Sequence, residues 1–292
     1  MELRVLKYFL AVAREGNITK SAQMLNITQP TLSRQLIQLE NELGSQLFIR
    51  GKNKISLTDK GMLLRKRAEE IIDLAEKTEK EFLQEDEVIA GEILIGSGEV
   101  KSMHSLAKIM KSFYDENPQI QYNIYTGNAD DIKEKIDKGL IDIGILTEPV
   151  DISKYDFIRL NEKETWGILM KKSDPLANKE YIIANDLINK PLINTKRVIV
   201  QNEIFNWFGE SYDKLNIIAT YNLIFNAAIM VEEGLGYAIT IDKLINFNNE
   251  VDLCFKPFFP KLETGSVIVW KKHQLFSKAT AKFIDKLKSE IS

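Results

Sequence analysis

The sequence predicts two fold classes on one chain: an N-terminal all-α winged helix-turn-helix running into a long linker helix, and a C-terminal α/β domain. Three observations carry that prediction. Apolar residues recur at helical spacing through roughly the first 44 positions and again from residue 59 to about 88. Between those stretches lies a short β-prone hairpin with a basic tip. From Gly91 onward, β-branched strands alternate with amphipathic helices, the order of a parallel α/β sheet.

The first helix is expected over residues 3–14, with Leu3, Leu6, Phe9, Leu10 and Ala13 at helical spacing and Gly16-Asn17 ending it. Thr19 is placed to cap a short second helix through Met24 and Leu25, in which Ala22 permits close approach of a neighbour. Asn26-Ile27 then turns into residues 28–44, TQPTLSRQLIQLENELG. There Leu32, Leu36, Leu39 and Leu43 form one apolar face that is expected to be buried. Thr31, Arg34 and Gln38 fall opposite, with Ser33 on the flank and Gln29 at the tip. Thr28 is a suitable N-cap, Pro30 lies in the first turn, and Gly44 stands where the chain turns left-handed. Two short helices joined by a tight turn match the unit that enters a DNA major groove, although an ordinary helical hairpin has the same pattern.

Residues 47–50 and 54–57 are β-prone segments around Gly51-Lys52-Asn53. As a wing, this hairpin sets Arg50, Lys52 and Lys54 against phosphates; on its own it is a surface loop. Thr58 caps the next helix, where Leu64, Ala68, Ile71, Ala75, Thr78 and Phe82 keep the four-three spacing of a coiled-coil seam. Roughly thirty residues at about 1.5 Å each span about 45 Å, too long for a helix buried in one small domain. The reading is a linker that pairs with a second chain. Beyond it, strands are expected near residues 92–95, 120–125, 141–146, 165–170, 192–195, 237–240 and 266–270, and helices near 100–116, 129–138, 203–208, 223–233 and 278–288.

Composition narrows the function classes. A chain of 292 residues, 44% apolar and 28% charged, suits two or three soluble domains, and no apolar run reaches membrane-spanning length. The opening residues lack the pattern of a secretory signal. A single cysteine, Cys254, excludes an internal disulfide and fits a reducing cytoplasm, the expected location. The net charge of −3 hides an asymmetry: through Thr58 there are eight basic residues against four acidic ones, a sign that suits phosphate contact. His104 and His273 are far apart and carry no motif, no Cys/His cluster has metal-ligand spacing, and neither a phosphate-binding Gly-Lys-Ser/Thr loop nor a Gly-x-Ser-x-Gly elbow occurs. No catalytic residue, metal or cofactor is therefore expected.

The run FLAVAREGNITKSAQMLNITQPTLSRQLIQLENELGSQLFIR resembles the N-terminal region of LysR-type transcriptional regulators, with Gln-Pro-x-x-Ser, Leu-Glu-x-x-Leu-Gly and Leu-Phe-x-Arg in order and without gaps. It departs in having Lys20-Ser21-Ala22 for a commoner Ala-Ala pair and Gly51-Lys52-Asn53-Lys54 where the family is often Arg-rich. Residues 91–292 resemble the effector domain of the same family, itself similar to periplasmic solute-binding proteins, through GEILIGSG, NPQIQYNIYTGNADDIKEKIDKGLIDIGIL, SDPLA and VEEGLGYAI. The resemblance implies a DNA-binding domain at 1–58, a dimerisation helix at 59–88, and an effector domain whose first subdomain is 91–161 plus 267–292 and whose second is 162–266.

It also implies a regulator of transcription whose activity is set by a small-molecule effector between two subdomains, acting on double-stranded DNA at an interrupted inverted repeat. The implied assembly is a homodimer through the linker and a dimer of dimers, with RNA polymerase a further partner and no membrane. The resemblance favours Gln29, Thr31, Ser33 and Arg34 as the groove-facing set, with Thr28 and Gln38 as further DNA-binding residues and Arg50, Lys52 and Lys54 of the wing on the backbone. Amide N–H groups around Ser97, Gly98, Glu99 and Val100, at a helix start, suit an anion; a dinucleotide fingerprint is not supported there. The family's cleft adds Lys101, Thr126, Gly127, Asn128, Thr195, Tyr221 and Asn222. Glu99 opposes an acidic effector unless Lys101 or Lys196 pairs with it, which leaves an amino acid or neutral ligand open. The rival readings are a small-molecule binding protein or an α/β enzyme carrying an accessory DNA-binding module.

Overall fold

Val5, Leu6, Phe9 and Val12 give helix α1 (Leu3–Glu15) its buried stripe. The stripe is rotated from the expected one: Leu3 is exposed, and Leu10 and Ala13 are only half-buried. Helix α2 (Ile18–Met24) is capped by Asn17, whose side-chain oxygen accepts from the Lys20 N–H at 3.0 Å, and not by Thr19. Asn17 has the extended backbone that a cap requires, whereas Thr19 already lies inside the helix. Replacing Asn17 with Ala is expected to cost the N-terminal unit about 1 kcal/mol in thermal or urea unfolding.

Helix α3 (Gln29–Glu42) buries Leu32, Leu36 and Leu39 as expected. Leu43 does not belong to that face: it follows the last helical residue and is exposed. Gly44 then adopts φ +61°, a left-handed conformation that ends the helix at no Cβ cost. Strands β1 (Phe48–Arg50) and β2 (Ile55–Leu57) pair antiparallel, with Phe48 opposite Leu57. Helix α4 (Asp59–Phe82) starts at Thr58, whose hydroxyl oxygen accepts from the Gly61 N–H at 2.9 Å. A Cβ on Gly61 would lie 2.1 Å from the Leu47 carbonyl oxygen, so glycine lets this helix sit directly against the wing. The expected seam of α4 divides. Ala68 and Ile72 are buried against the unit's own core and Leu64 packs beside them, while Ile71 and Phe82 stay exposed. The helix drifts relative to a strict seven-residue repeat, so one stripe cannot serve both surfaces.

The computed structural model describes residues 1–51, 55–82, 89–242, 244 and 252–291. Lys52, Lys54 and the expected linker end at 83–88 lie outside the described residues. The chain forms two units, Met1–Gln84 and Glu85–Ser292.

The second unit opens with β3 (Gly91–Ser97), α5 (Met103–Glu116), β4 (Ile120–Thr126), α6 (Ala129–Asp137) and β5 (Ile143–Thr147). It continues through β6 (Tyr155–Lys171), β7 (Pro191–Thr195), α7 (Val198–Phe208), β8 (Asn216–Tyr221), α8 (Ile224–Glu232) and β9 (Tyr237–Ile241). β10 (Leu253–Pro257), β11 (Glu263–Lys271) and α9 (Lys278–Ile291) complete the described elements. The strand order is β4-β3-β5-β11-β6-β9-β7-β8, with β10 on β6. The sheet is mixed and not purely parallel: β3 runs parallel to β4 and β5, and β7 parallel to β8 and β9, but β11 is antiparallel to β5 and β6.

β6 and β11 run through both halves of this unit. Tyr155 to Arg159 of β6 pair with β11, whereas Trp166 to Leu169 pair with β9, and the β6–β11 register shifts between Gly265 and Val267. β6 is far longer than expected because its middle, Asn161-Glu162-Lys163-Glu164, carries no apolar alternation. β8 and β10 were not anticipated; neither shows clean alternation of buried and exposed residues. Ile95, Leu106, Phe113 and Phe283 anchor one core, and Ile193, Ala227, Val231 and Ala238 another.

Candidate functional site

In the first unit, burial of Leu32, Leu36 and Leu39 leaves the opposite face of α3 in solvent. Gln29, Thr31, Arg34 and Gln38 are exposed there, with Ser33 half-buried beside them. Thr28 acts as the N-cap: its hydroxyl oxygen takes the Thr31 N–H at 3.4 Å and also shares a 2.8 Å bond with the Thr31 hydroxyl. Gln38 donates to Glu42 at 3.2 Å, and Glu42 pairs with the N-terminal ammonium at 2.9 Å, which holds its carboxyl below the usual range. Arg34 has no ion pair to a described residue, in contrast to Lys7, Lys20 and Arg4, which pair with Glu76, Glu15 and Glu2. The wing is tied to this helix by Glu40, whose Oε1 accepts from the N–H groups of Leu47 at 2.7 Å and Phe48 at 3.2 Å. The Ile55 N–H reaches the Gly16 carbonyl at 2.9 Å, fixing the wing to the end of α1. One rigid head thus presents a polar helix face and the strand that ends in Arg50.

In the second unit, a cleft of about 90 Å³ opens between the two halves. That is below the roughly 300–1,000 Å³ of drug-sized ligand sites, so it suits a small, compact ligand. Of the residues expected there, Gly98, Glu99, Val100, Gly127, Asn128, Thr195, Tyr221 and Asn222 line it. Ser97 is buried with its hydroxyl donating to the Gly98 carbonyl at 2.8 Å; Thr126 is exposed at the end of the edge strand β4; and neither lines the cleft. Lys101 also lies off the lining, with its backbone N–H taken by Glu164 Oε1 at 2.6 Å.

The pairing with Lys101 or Lys196 that would neutralise Glu99 is not the contact observed. Glu99 Oε2 accepts from the Ile224 N–H, at the first turn of α8, at 2.7 Å. Two carboxylates therefore take backbone N–H groups at or near helix starts, Glu99 at α8 and Glu164 just ahead of α5, so the Lys101 N–H is not open to an anion. Tyr221 forms a wall with its hydroxyl donating to the Ile239 carbonyl at 2.7 Å, and burial pushes its phenol upward. Asn128 caps α6 through the N–H groups of Asp130 and Asp131.

Three residues that sequence reasoning passed over shape the site: Trp166, Glu164 and Arg197. Arg197 is 9% exposed and lines the cleft. Its Nη1 and Nη2 donate to the carbonyls of Thr147 and Pro149 at 3.2 and 3.1 Å, joining the two halves. Burial lowers its pKa, which the Asp130 carboxylate partly offsets. A charged residue two positions after Thr195 was the only available signal. Glu164 Oε2 is buried without a hydrogen-bond partner, and burial, with Asp242 and Glu162 nearby, raises the Glu164 pKa.

A carboxyl raised in the folded state contributes stability that is present when protonated and is lost as pH rises through the folded value. Glu164→Gln keeps an oxygen for the Lys101 N–H and removes that loss. Its melting temperature should exceed the parent's at pH 7.5, with the difference vanishing below pH 4.5, the ordinary glutamate value. An unchanged melting temperature at pH 7.5 contradicts this.

Comparison with known proteins then fixes the family. Residues 3–62 match the model of the bacterial regulatory helix-turn-helix protein, lysR family, and residues 86–292 match the LysR substrate binding domain. The chain is a member of the LysR family. It is 28% identical over 282 residues to the Hca operon transcriptional activator HcaR of Escherichia coli (strain K12), covering 94% of this chain and 93% of that protein. It is also 28% identical over 292 residues to the HTH-type transcriptional regulator BsdA of Bacillus subtilis (strain 168), covering 98% and 99%. The crystal structure of CbnR, a LysR family transcriptional regulator, superposes with a TM-score of 0.77 at 20% identity over the whole of both chains, which shows a common fold. This LysR-family chain is thus a transcriptional regulator with a helix-turn-helix DNA-binding domain and an effector-binding domain. No helix among its described residues is long and apolar enough to cross a membrane.

Proposed function

We propose that this regulator reads an interrupted inverted repeat in the cytoplasm as a homodimer paired through α4, that two dimers associate, and that it is not an enzyme. In this reading Gln29, Thr31, Ser33 and Arg34 meet base edges, Thr28 and Gln38 flank them, and Arg50, Lys52 and Lys54 hold the phosphate backbone. The domains are 1–58, 59–88 and 91–292, and RNA polymerase is a further partner. The observation that carries the reading is Arg34: exposed, free of ion pairs to described residues, and set on a helix whose other face is fully buried. Exposed Leu63, Ile71, Leu74 and Phe82 along α4 support pairing of two chains, and exposed Tyr114, Ile124, Ile218 and Phe225 support association of the second units. The effector occupies the cleft, where Gly98, Glu99, Val100, Gly127, Asn128, Thr195, Tyr221 and Asn222 contact it, with Ser97, Lys101 and Thr126 supporting the loops.

The test is capture of fragmented chromosomal DNA on the full-length protein across a salt series, with sequencing of what remains bound. The expected result is a small set of promoter fragments sharing an inverted repeat, retained at moderate salt and lost progressively above it. Retention without sequence preference contradicts the reading.

A further inference from the structure

A buried guanidinium needs more than backbone carbonyls to offset the loss of its hydration. Arg197, 9% exposed, has two carbonyl partners, and its Nε has no hydrogen bond. Asp130 forms an ion pair with that nitrogen at 3.6 Å, longer than a hydrogen bond, and its side chain is 61% exposed. Solvent weakens such a pair, so Asp130 offsets the burial of Arg197 only in part. Buried polar groups are almost always satisfied, and an exception facing a cavity marks a place for a ligand atom. Arg197 faces the cleft and also the wider mouth that Lys133 and Lys196 share with Asp130 and Asp131.

The rest of the cleft decides what else the ligand carries. Val100, Ile145, Trp166, Val200, Ile224 and Leu244 line it with apolar surface. Glu99, turned onto the Ile224 N–H, disfavours a second negative charge close by. A dianionic phosphate would meet one guanidinium and three carboxylates, those of Glu99, Asp130 and Asp131. A single carboxylate carries half that charge, so it meets about half the repulsion while still facing the buried guanidinium.

We infer that the effector is a monocarboxylic acid with a compact apolar body, its carboxylate held by Arg197 and its body packed between Val100, Trp166 and Ile224. This rests on the reading of the cleft as the effector site. Because the same guanidinium already bridges to Thr147 and Pro149 in the other half, an acid bound there adds to the contacts that hold the two halves together. The ligand therefore favours one arrangement of the cleft over others, which any effector must do to act.

The test uses the full-length protein and calorimetric titration with phenylacetate, hexanoate, their primary amides, phenylalanine and inorganic phosphate. Saturable binding of at least one acid is expected, at least tenfold tighter than its amide. Arg197→Gln should weaken that acid at least tenfold while leaving the amide within about twofold, and the exposed-site variant Asp130→Asn should tighten the acid several-fold. Arg197→Lys, which keeps the charge but not the Nε–H geometry, should fall between parent and Gln variant. Amides that bind as tightly as acids, no saturable acid binding at millimolar concentration, or phosphate binding more tightly than any acid would overturn the inference. Phenylalanine binding more tightly than phenylacetate would assign a zwitterion held by Glu99 and overturn it as well. Retention of promoter DNA by the same preparation reports separately on the regulator reading: if retention succeeds and acid binding fails, only the ligand class is wrong.

Discussion

Phe9→Ala is expected to remove about 3–5 kcal/mol from the N-terminal unit, the usual cost of deleting a buried aromatic ring. Phe9 is 0% exposed, and its ring centroid lies 5.2 Å from that of Phe48. It therefore joins α1 to the wing as well as filling the core around Leu32, Leu36 and Leu39. Domains of this size are stable by only about 5–15 kcal/mol, so the variant loses much of its margin and, with it, DNA retention on warming. The readouts separate cleanly, because the three tryptophans, Trp166, Trp207 and Trp270, all belong to the second unit. Urea unfolding followed by far-ultraviolet dichroism should gain an early transition, whereas tryptophan fluorescence should keep the parent midpoint. A shift of both signals together would contradict the independence of the two units.

Arg34→Ala is expected to weaken binding to the captured promoter at least tenfold at fixed moderate salt, on the order of 1–3 kcal/mol per bidentate contact. The side chain is exposed and supports no described ion pair, so the loss should come without a change in melting temperature. In a paired reader the contact is lost twice, which enlarges the effect. The distinction from a phosphate contact lies in discrimination. A base contact relaxes the preference at one position of the repeat, while a phosphate contact lowers affinity for all sequences and flattens the salt slope. Anisotropy titrations against the promoter and single-base variants read both; unchanged affinity removes Arg34 from the reading set.

The two halves of the chain differ in how much the sequence discloses. In α3 the spacing of Leu32, Leu36 and Leu39 places Arg34 on the outside by helix geometry alone, with no long-range contact needed. Thr28 as cap and Gly44 as stop are equally local. Leu43 and Thr19 went astray by one and two residues at element ends, where periodicity is weakest. In the cleft the decisive contacts are distant in sequence. Arg197 reaches the carbonyls of Thr147 and Pro149, and Glu99 reaches the Ile224 N–H, 125 positions away. No spacing rule encodes such pairs. Strand direction is likewise silent in periodicity, because an antiparallel and a parallel strand alternate identically; hence the mixed sheet read as parallel. The charged middle of β6 hid a strand that takes part in both halves, since Asn161, Glu162 and Lys163 meet solvent there and Glu164 puts a carboxylate at a buried position.

A small molecule in the cleft of the second unit is expected to change how the first unit holds DNA. Nuclease footprinting of a captured promoter, with and without a saturating acid that binds the parent but not Arg197→Gln, tests it most directly. On the parent protein the acid is expected to alter the length or spacing of protection, or to shift half-saturation by severalfold, and to leave the footprint of the Arg197→Gln variant unchanged. Superimposable footprints and equal affinities with and without bound acid would contradict it.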